Sequence, residues 1–329
     1  MKTLRFWWNN ARPMSLPMSV LPSLVAIALA SHAPDFSVVM SLLAVVGVVC
    51  AHLCINLADD YFDYKKKSIE AREAIAHRGM RARMGKYPYL TSGEATPGDL
   101  LFVTLIFAVA GLLIGVAIFS VRGVAILYIA LATAVLGFSY SGGLLRLSYR
   151  GLSGVTMGIM FGPIMMSGVY YSAAGSFSLA TMLVSVSTGL LMVNIAFVHD
   201  IMDYEPDKEV GKITLAVLLG SRFAMKAFLG AVLLSIYGVI IAGVLVGSLP
   251  LSFLVVLITT PMAFALFKLV CGFIEDPYSD HARKFWMGPM PNWEALQQAG
   301  ISWFMIRWYL ARNLKASFCI LLLATSIVW

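Results

Sequence analysis

Charge is what this sequence has least of. Only 12% of its 329 residues are Asp, Glu, Lys or Arg, about half the share typical of a soluble globular domain. Hydrophobic residues make up 60% and the mean hydropathy is +0.84. That balance excludes a disordered chain and argues strongly against a water-soluble enzyme. Cysteine is also scarce. Cys50, Cys54, Cys271 and Cys319 all lie in or beside apolar runs, with no CxxC and no histidines at zinc spacing, so neither a disulfide framework nor a structural metal is expected. The net charge of +7 does not point to nucleic acid, because the basic residues fall in segments between apolar runs.

Those runs are what the chain has in abundance. Stretches long enough to cross a bilayer fall at 14–31, 37–57, 99–120, 123–141, 153–173, 178–198, 224–247, 251–273 and 308–329. The expectation is an all-α, polytopic membrane protein of nine transmembrane helices, with residues 1–329 forming one integral membrane domain around a central cavity. With the N-terminus placed in the cytoplasm and the C-terminus outside, 23 of the 24 Lys and Arg residues fall in inner segments and only Arg122 is outside. This is the asymmetry expected of a multi-pass protein in a cell (inner) membrane.

The acidic residues are grouped. At the inner end of the second run the chain reads Asn56-Leu-Ala-Asp59-Asp60-Tyr-Phe-Asp63-Tyr64-Lys-Lys-Lys67, and at the inner end of the sixth His199-Asp200-Ile-Met-Asp203-Tyr204-Glu-Pro-Asp207. If the helices continue, Asn56, Asp60, Asp63 and Lys67 share one stripe, as do Asp200, Asp203 and Asp207. The two motifs are in step 140 residues apart, from Asp60 to Asp200 and from Asp63 to Asp203. This suggests an internal four-helix repeat, about 14–141 and 153–273, followed by a ninth helix. An even number of helices per repeat puts both stripes at the cytoplasmic side.

Clustered carboxylates with a carboxamide are hard oxygen ligands suited to Mg²⁺, which shares its coordination with phosphate oxygens and water. The expected metal ligands are Asn56, Asp60, Asp63, Asp200, Asp203 and Asp207, with Asp60, Asp63, Asp200 and Asp207 carrying catalysis. Surrounded by apolar helices, such a group would serve a lipid diphosphate whose tail lies in the membrane. Departure of diphosphate from an allylic carbon leaves a carbocation that aromatic faces can stabilise.

At these residues the sequence resembles the UbiA family of intramembrane prenyltransferases. The likeness rests on Arg12-Pro13-Met-Ser-Leu-Pro17, Asn56 to Tyr64, Gly137-Phe-Ser-Tyr140-Ser-Gly-Gly and Gly211-Lys212-Ile-Thr214-Leu-Ala. It implies a helical bundle around a cavity and Mg²⁺-dependent transfer of a polyprenyl group to an aromatic carbon. The nearest branch acts on 1,4-dihydroxy-2-naphthoate and gives demethylmenaquinone. Other acceptors of the family, such as 4-hydroxybenzoate or homogentisate, remain open, and a secondary transporter is the alternative outside it. The partners implied are a polyprenyl diphosphate, the aromatic acceptor and membrane lipids, with no nucleic acid.

The resemblance places Arg146 where the family carries a diphosphate-binding cation, although the position also suits a topology-setting arginine. Lys212 and Lys67 have similar standing. Tyr140 and Tyr149 either flank the cavity or belong to an aromatic belt at the membrane interface. His199 is expected beside a ligand. His52 and Asn194 either line the cavity or pair helices. In two places the chain departs from the naphthoate branch: Asp59 stands where that branch usually has Asn, and Ala196-Phe-Val-His199 stands where it tends to have an Asn-Asn-x-Arg-like sequence.

Overall fold

A computed structural model describes residues 2–65, 87–279 and 281–328. Among these residues the chain is helical, apart from turns and one isolated bridge between Arg150 and Ile213. Seven helices are long and apolar enough to span a membrane. Two further apolar stretches are shorter or interrupted. Pro17–Ala30 has only 14 residues, and the helix over 153–174 is broken by a π-segment at Met160–Ile164, which contains Pro163. Proline removes a backbone donor and clashes with the preceding turn, so the local widening at Pro163 follows from the sequence.

The chain divides into two compact units. The first comprises residues 1–148 and 164–181. It contains α1 (Leu4–Asn10), α2 (Pro17–Ala30), α3 (Val38–Lys65), α4 (Pro88–Thr91), α5 (Pro97–Arg122) and α6 (Val124–Ser141). Thr96 and Asp99 form a capping box that starts α5. Leu101, Phe102, Leu105, Ile106, Val109, Leu112 and Leu113 on α5 are exposed. In water such a continuous apolar surface would drive aggregation; in a bilayer it is the lipid-facing side. The buried core of this unit joins Trp7, Leu53, Leu57, Tyr87, Tyr89, Leu90 and Leu100. α1 and α4 are thereby packed over the C-terminal half of α3.

Arg122 has a structural task here. Arg122 donates to the carbonyls of Asp35, Ser172 and Ala173 at 2.7–2.9 Å. The last two close α8 (Met165–Ala174), whose C-terminal carbonyls lack intrahelical donors.

The second unit comprises residues 149–163 and 182–329. It contains α7 (Ser153–Ile159), most of α9 (Leu179–Met202), α10 (Tyr204–Glu209), α11 (Leu215–Leu219), α12 (Arg222–Leu245), a 3₁₀ stretch Leu251–Thr259 leading into α13 (Thr260–Glu275), α14 (Trp293–Gln298) and α15 (Ser302–Val328). α9 is the most deeply buried span. α7 and the π-segment approach it through glycine, because a Cβ on Gly162 would stand 2.4 Å from the Ser185 carbonyl oxygen and one on Gly189 2.6 Å from that of Gly158. Small residues allow this backbone contact between membrane helices. Asn313 on α15 donates to the carbonyls of Met287 and Pro289 at 2.8 and 3.0 Å, which pins the 274–303 loop.

α15 carries three of the chain's cations. Arg307, Arg312 and Lys315 all lie on this helix, and Arg307 and Lys315 are fully buried. Arg307 donates to the Leu269 and Trp303 carbonyls and stacks its guanidinium over Phe273.

Candidate functional site

α3 runs to Lys65, well past the apolar run that announced it. The first carboxylate stripe therefore sits on continuous helix. Asp60 and Asp63 are buried, and Asn56 and Asp59 are half-buried. Lys67 lies outside the described residues.

Asp60 is held from two sides. The Arg12 guanidinium donates to its Oδ1 at 3.0 Å, and the Tyr89 hydroxyl donates to its Oδ2 at 2.9 Å. Arg12 also donates to the Asn56 backbone carbonyl at 2.6 Å and lies 3.7 Å from Asp59, which in turn accepts from Ser141. Burial opposes the Arg12 charge, but Asp60 and Asp59 outweigh it and hold its pKa above the ordinary arginine value. The Tyr89 phenol is pushed up, first by burial and then by Asp60, so it stays protonated and donating. Neither Arg12 nor Tyr89 was singled out as a ligand-site residue from sequence. Arg12 was visible only within the Arg-Pro motif, and nothing local marks Tyr89, which lies 29 residues from Asp60.

The amide of Asn56 is oriented. Its Nδ2 donates to the Ala11 carbonyl at 3.1 Å and to Ser15 Oγ at 3.0 Å. A carbonyl can only accept, so the nitrogen must face Ala11 and Oδ1 remains as the acceptor of the group.

Arg12→Met should remove the charge-assisted bond to Asp60 and the bond to the Asn56 carbonyl. The expected result is a loss of about 2 kcal/mol in stability, read as a lower melting temperature in detergent, and at least a tenfold fall in kcat/KM. Unchanged values for both would show that the pairing is dispensable.

In the second unit the helix is not continuous through the second stripe. α9 ends at Met202, and Asp203 sits in a turn before α10. The backbone nevertheless keeps helical hydrogen bonds, from Asp203 N–H to the His199 carbonyl and from Asp207 N–H to the Asp203 carbonyl. Asp200, Asp203 and Asp207 are all buried. His199 Nδ1 lies 3.5 Å from Asp203 and its ring packs edge-on against Phe304.

The Gly211–Leu215 segment folds back over these acids. Gly211 takes a left-handed φ of 71°, which glycine adopts without strain. Lys212 reaches Asp207 at 3.5 Å, and Leu215 N–H points at Asp200 Oδ2 at 3.3 Å, opposite Ser153 Oγ at 3.4 Å. Gly151 N–H bonds the Ile213 carbonyl, which ties the start of α7 to the same segment. Arg146 is exposed with φ 45°, and Tyr140 and Tyr149 are half-buried.

Among the described residues no three His, Cys, Asp or Glu side chains close around a common point. Mg²⁺ is commonly held by one or two carboxylates together with water and substrate phosphate. Buried aspartates beside a carboxamide oxygen in the first unit, and buried aspartates beside Lys212 in the second, are each donors that fit that ion.

A buried-aspartate, multi-helix membrane protein of this kind is a class with known members. The UbiA prenyltransferase family model matches residues 19–292, and the chain belongs to that family. It is a membrane prenyltransferase. A 1,4-dihydroxy-2-naphthoate octaprenyltransferase of Haemophilus influenzae is 27% identical over 226 residues, covering 66% of this chain and 70% of the relative. A 2-carboxy-1,4-naphthoquinone phytyltransferase of Synechocystis is 28% identical over 285 residues, covering 84% and 85%. The structure of a UbiA homologue from Archaeoglobus fulgidus bound to GPP and Mg²⁺ aligns with a TM-score of 0.54 at 14% identity, covering 98% of this chain and 99% of that one. That last likeness concerns the fold.

Proposed function

We propose that this prenyltransferase uses Mg²⁺ to transfer a polyprenyl group from its diphosphate to 1,4-dihydroxy-2-naphthoate, giving the demethylmenaquinone skeleton. The observation that carries the chemistry is the burial of Asp60, Asp63, Asp200, Asp203 and Asp207 at or just past the C-terminal ends of α3 and α9. Burying carboxylates costs several kcal/mol each unless cations compensate them, and intramembrane acids are by default functional. The acceptor is supported by relatives named for 1,4-dihydroxy-2-naphthoate and for 2-carboxy-1,4-naphthoquinone, and the prenyl diphosphate and Mg²⁺ by the homologue bound to GPP and Mg²⁺.

In this reading Asn56 and the five aspartates hold Mg²⁺, which when bound would neutralise the charge growing on the departing diphosphate. Lys212, Arg146 and Lys67 offer cations to its outer oxygens. Tyr140 and Tyr149 offer aromatic faces to the allylic cation, and the apolar helices keep water from it. The C–O bond to diphosphate breaks, a ring carbon of the naphthoate bonds the prenyl carbon, and the carboxylate of that ring carbon leaves as CO₂. The protein lies in the cell membrane with the N-terminus cytoplasmic and the C-terminus outside, and residues 14–141 and 153–273 are copies of one ancestral four-helix unit.

Purified protein, radiolabelled octaprenyl diphosphate and Mg²⁺ should release pyrophosphate and CO₂ in equal amounts with 1,4-dihydroxy-2-naphthoate. They should do so far more slowly with 4-hydroxybenzoate or homogentisate. Faster transfer to either of the latter would replace the acceptor. Transfer that persists in excess chelator would overturn the metal chemistry.

A further inference from the structure

His52 lies on the same face of α3 as Asn56 and Asp60, one helical turn deeper than Asn56, and it is buried. Its ring stands between two hydroxyls of the segment that leads into and starts α2. Ser15 Oγ is 3.0 Å from Nε2 and Ser19 Oγ is 2.7 Å from Nδ1.

The Ser15 hydrogen sets the direction of the bonds around it. The Arg12 carbonyl accepts from Ser15 at 2.7 Å, and a carbonyl cannot donate, so the single Ser15 hydrogen is spent there. Ser15 Oγ must then accept from both of its other neighbours, Asn56 Nδ2 and His52 Nε2. His52 then carries its proton on Nε2, and the single Ser19 hydrogen, offered both the Leu16 carbonyl at 3.1 Å and Nδ1 at 2.7 Å, takes the shorter contact to Nδ1. The outcome is a one-way chain from Ser19 through His52 to Ser15, with Asn56 and His52 converging on a single hydroxyl oxygen.

This arrangement has a consequence for the carboxamide. Ser15 can hold the Asn56 nitrogen only while its own hydrogen points at the Arg12 carbonyl. A hydroxyl freed from His52 could rotate and donate to Asn56 Oδ1 instead, which would draw that oxygen away from a cation. With His52 donating, rotation would set two hydrogens against each other.

We infer that His52 is a positioning residue which, through Ser15, keeps the Asn56 carboxamide oxygen available to the divalent cation. The inference rests on the metal reading proposed above and adds to it a residue that touches neither metal nor substrate. Groups behind a metal ligand change affinity about 10- to 100-fold when removed.

The test compares His52→Ala, His52→Gln, Ser15→Ala and Asn56→Ala in the full-length protein in detergent. Two readouts are taken: the Mg²⁺ concentration for half-maximal prenyl transfer, and Mn²⁺ binding to the resting protein by electron paramagnetic resonance. His52→Ala and Ser15→Ala should each raise the half-saturating Mg²⁺ about tenfold and weaken Mn²⁺ binding to match, with kcat at saturating Mg²⁺ within twofold of wild type. Glutamine keeps a donor near the Nε2 position, so His52→Gln should restore the wild-type requirement. His52→Ala added to Asn56→Ala should cause no further shift, because the two act on one contact.

An unchanged Mg²⁺ requirement in His52→Ala or Ser15→Ala overturns the inference, as does a shift that adds fully to that of Asn56→Ala. If one alanine variant does not fold, the other and the glutamine variant decide. Wild-type turnover without any divalent cation would instead refute the proposed metal function, which keeps the two failures apart.

Discussion

Asp60→Asn and Asp200→Asn will each lower kcat at saturating Mg²⁺ by at least about 100-fold, about 2.7 kcal/mol of transition-state stabilisation. Asparagine keeps the shape and one oxygen but removes the charge that a diphosphate-bound cation needs. For Asp200→Asn stability should move the other way or not at all. Asp200 is buried, and its neighbours include Asp203 and Asp207 as well as Lys212. Neutralising it relieves desolvation and like-charge repulsion together. Asp60→Asn is the exception: Arg12 loses its charge partner and one oxygen is left for two donors, so the variant's melting temperature should fall along with its turnover. The paired measurement is steady-state transfer and thermal unfolding in detergent. Loss of turnover with an equal or higher melting temperature is the signature of residues kept for chemistry. Near wild-type rates in either variant would remove that aspartate from the metal set.

The second large effect is structural. Gly162→Ala should cost about 3 kcal/mol, because the added methyl would meet backbone, the Ser185 carbonyl at 2.4 Å and Gly189 Cα at 2.7 Å. No side chain can rotate out of the way, so α7 and the π-segment must move from α9, and with them the Ser153 contact to Asp200. Activity should fall alongside the melting temperature. Gly115→Ala in α5 is the control. A methyl there meets nothing within 4 Å, and alanine favours helix over glycine by roughly 0.5–1 kcal/mol, so this variant should be as stable as wild type or more so. Equal melting temperatures for Gly162→Ala and Gly115→Ala would show that the close approach does not govern stability.

How much of the site could be read in advance depended on how local its parts were. Asn56, Asp60 and Asp63 share a face because helical periodicity alone puts them there, and α3 does continue as helix through all three. The second stripe was less simple. The turn at Asp203 separates α9 from α10, yet backbone bonds at i and i+4 carry the register across it. Arg12 and Tyr89 were missed as partners of Asp60 because they lie 48 and 29 residues away, and no spacing rule reaches that far. Nothing in the sequence marked Arg307 and Lys315 of α15 as buried in the second unit, because contacts such as that of Arg307 with the Leu269 carbonyl come from a distant segment.

The sequence by itself determined that the chain is helical and membrane-embedded, and that its acids gather at helix ends. Those properties follow from hydropathy, charge scarcity and a 3.6-residue period, all of which act over one or two turns. Tertiary structure alone decided which backbone groups and cations meet the acids. It turned the Asn56 amide by offering Ala11 and Ser15 as acceptors, folded Lys212 back onto Asp207, and set His52 between two serines of α2 and its lead-in. The physical reason is that these bonds close between segments whose approach depends on packing of the whole helical unit, and a short-range pattern carries no record of it.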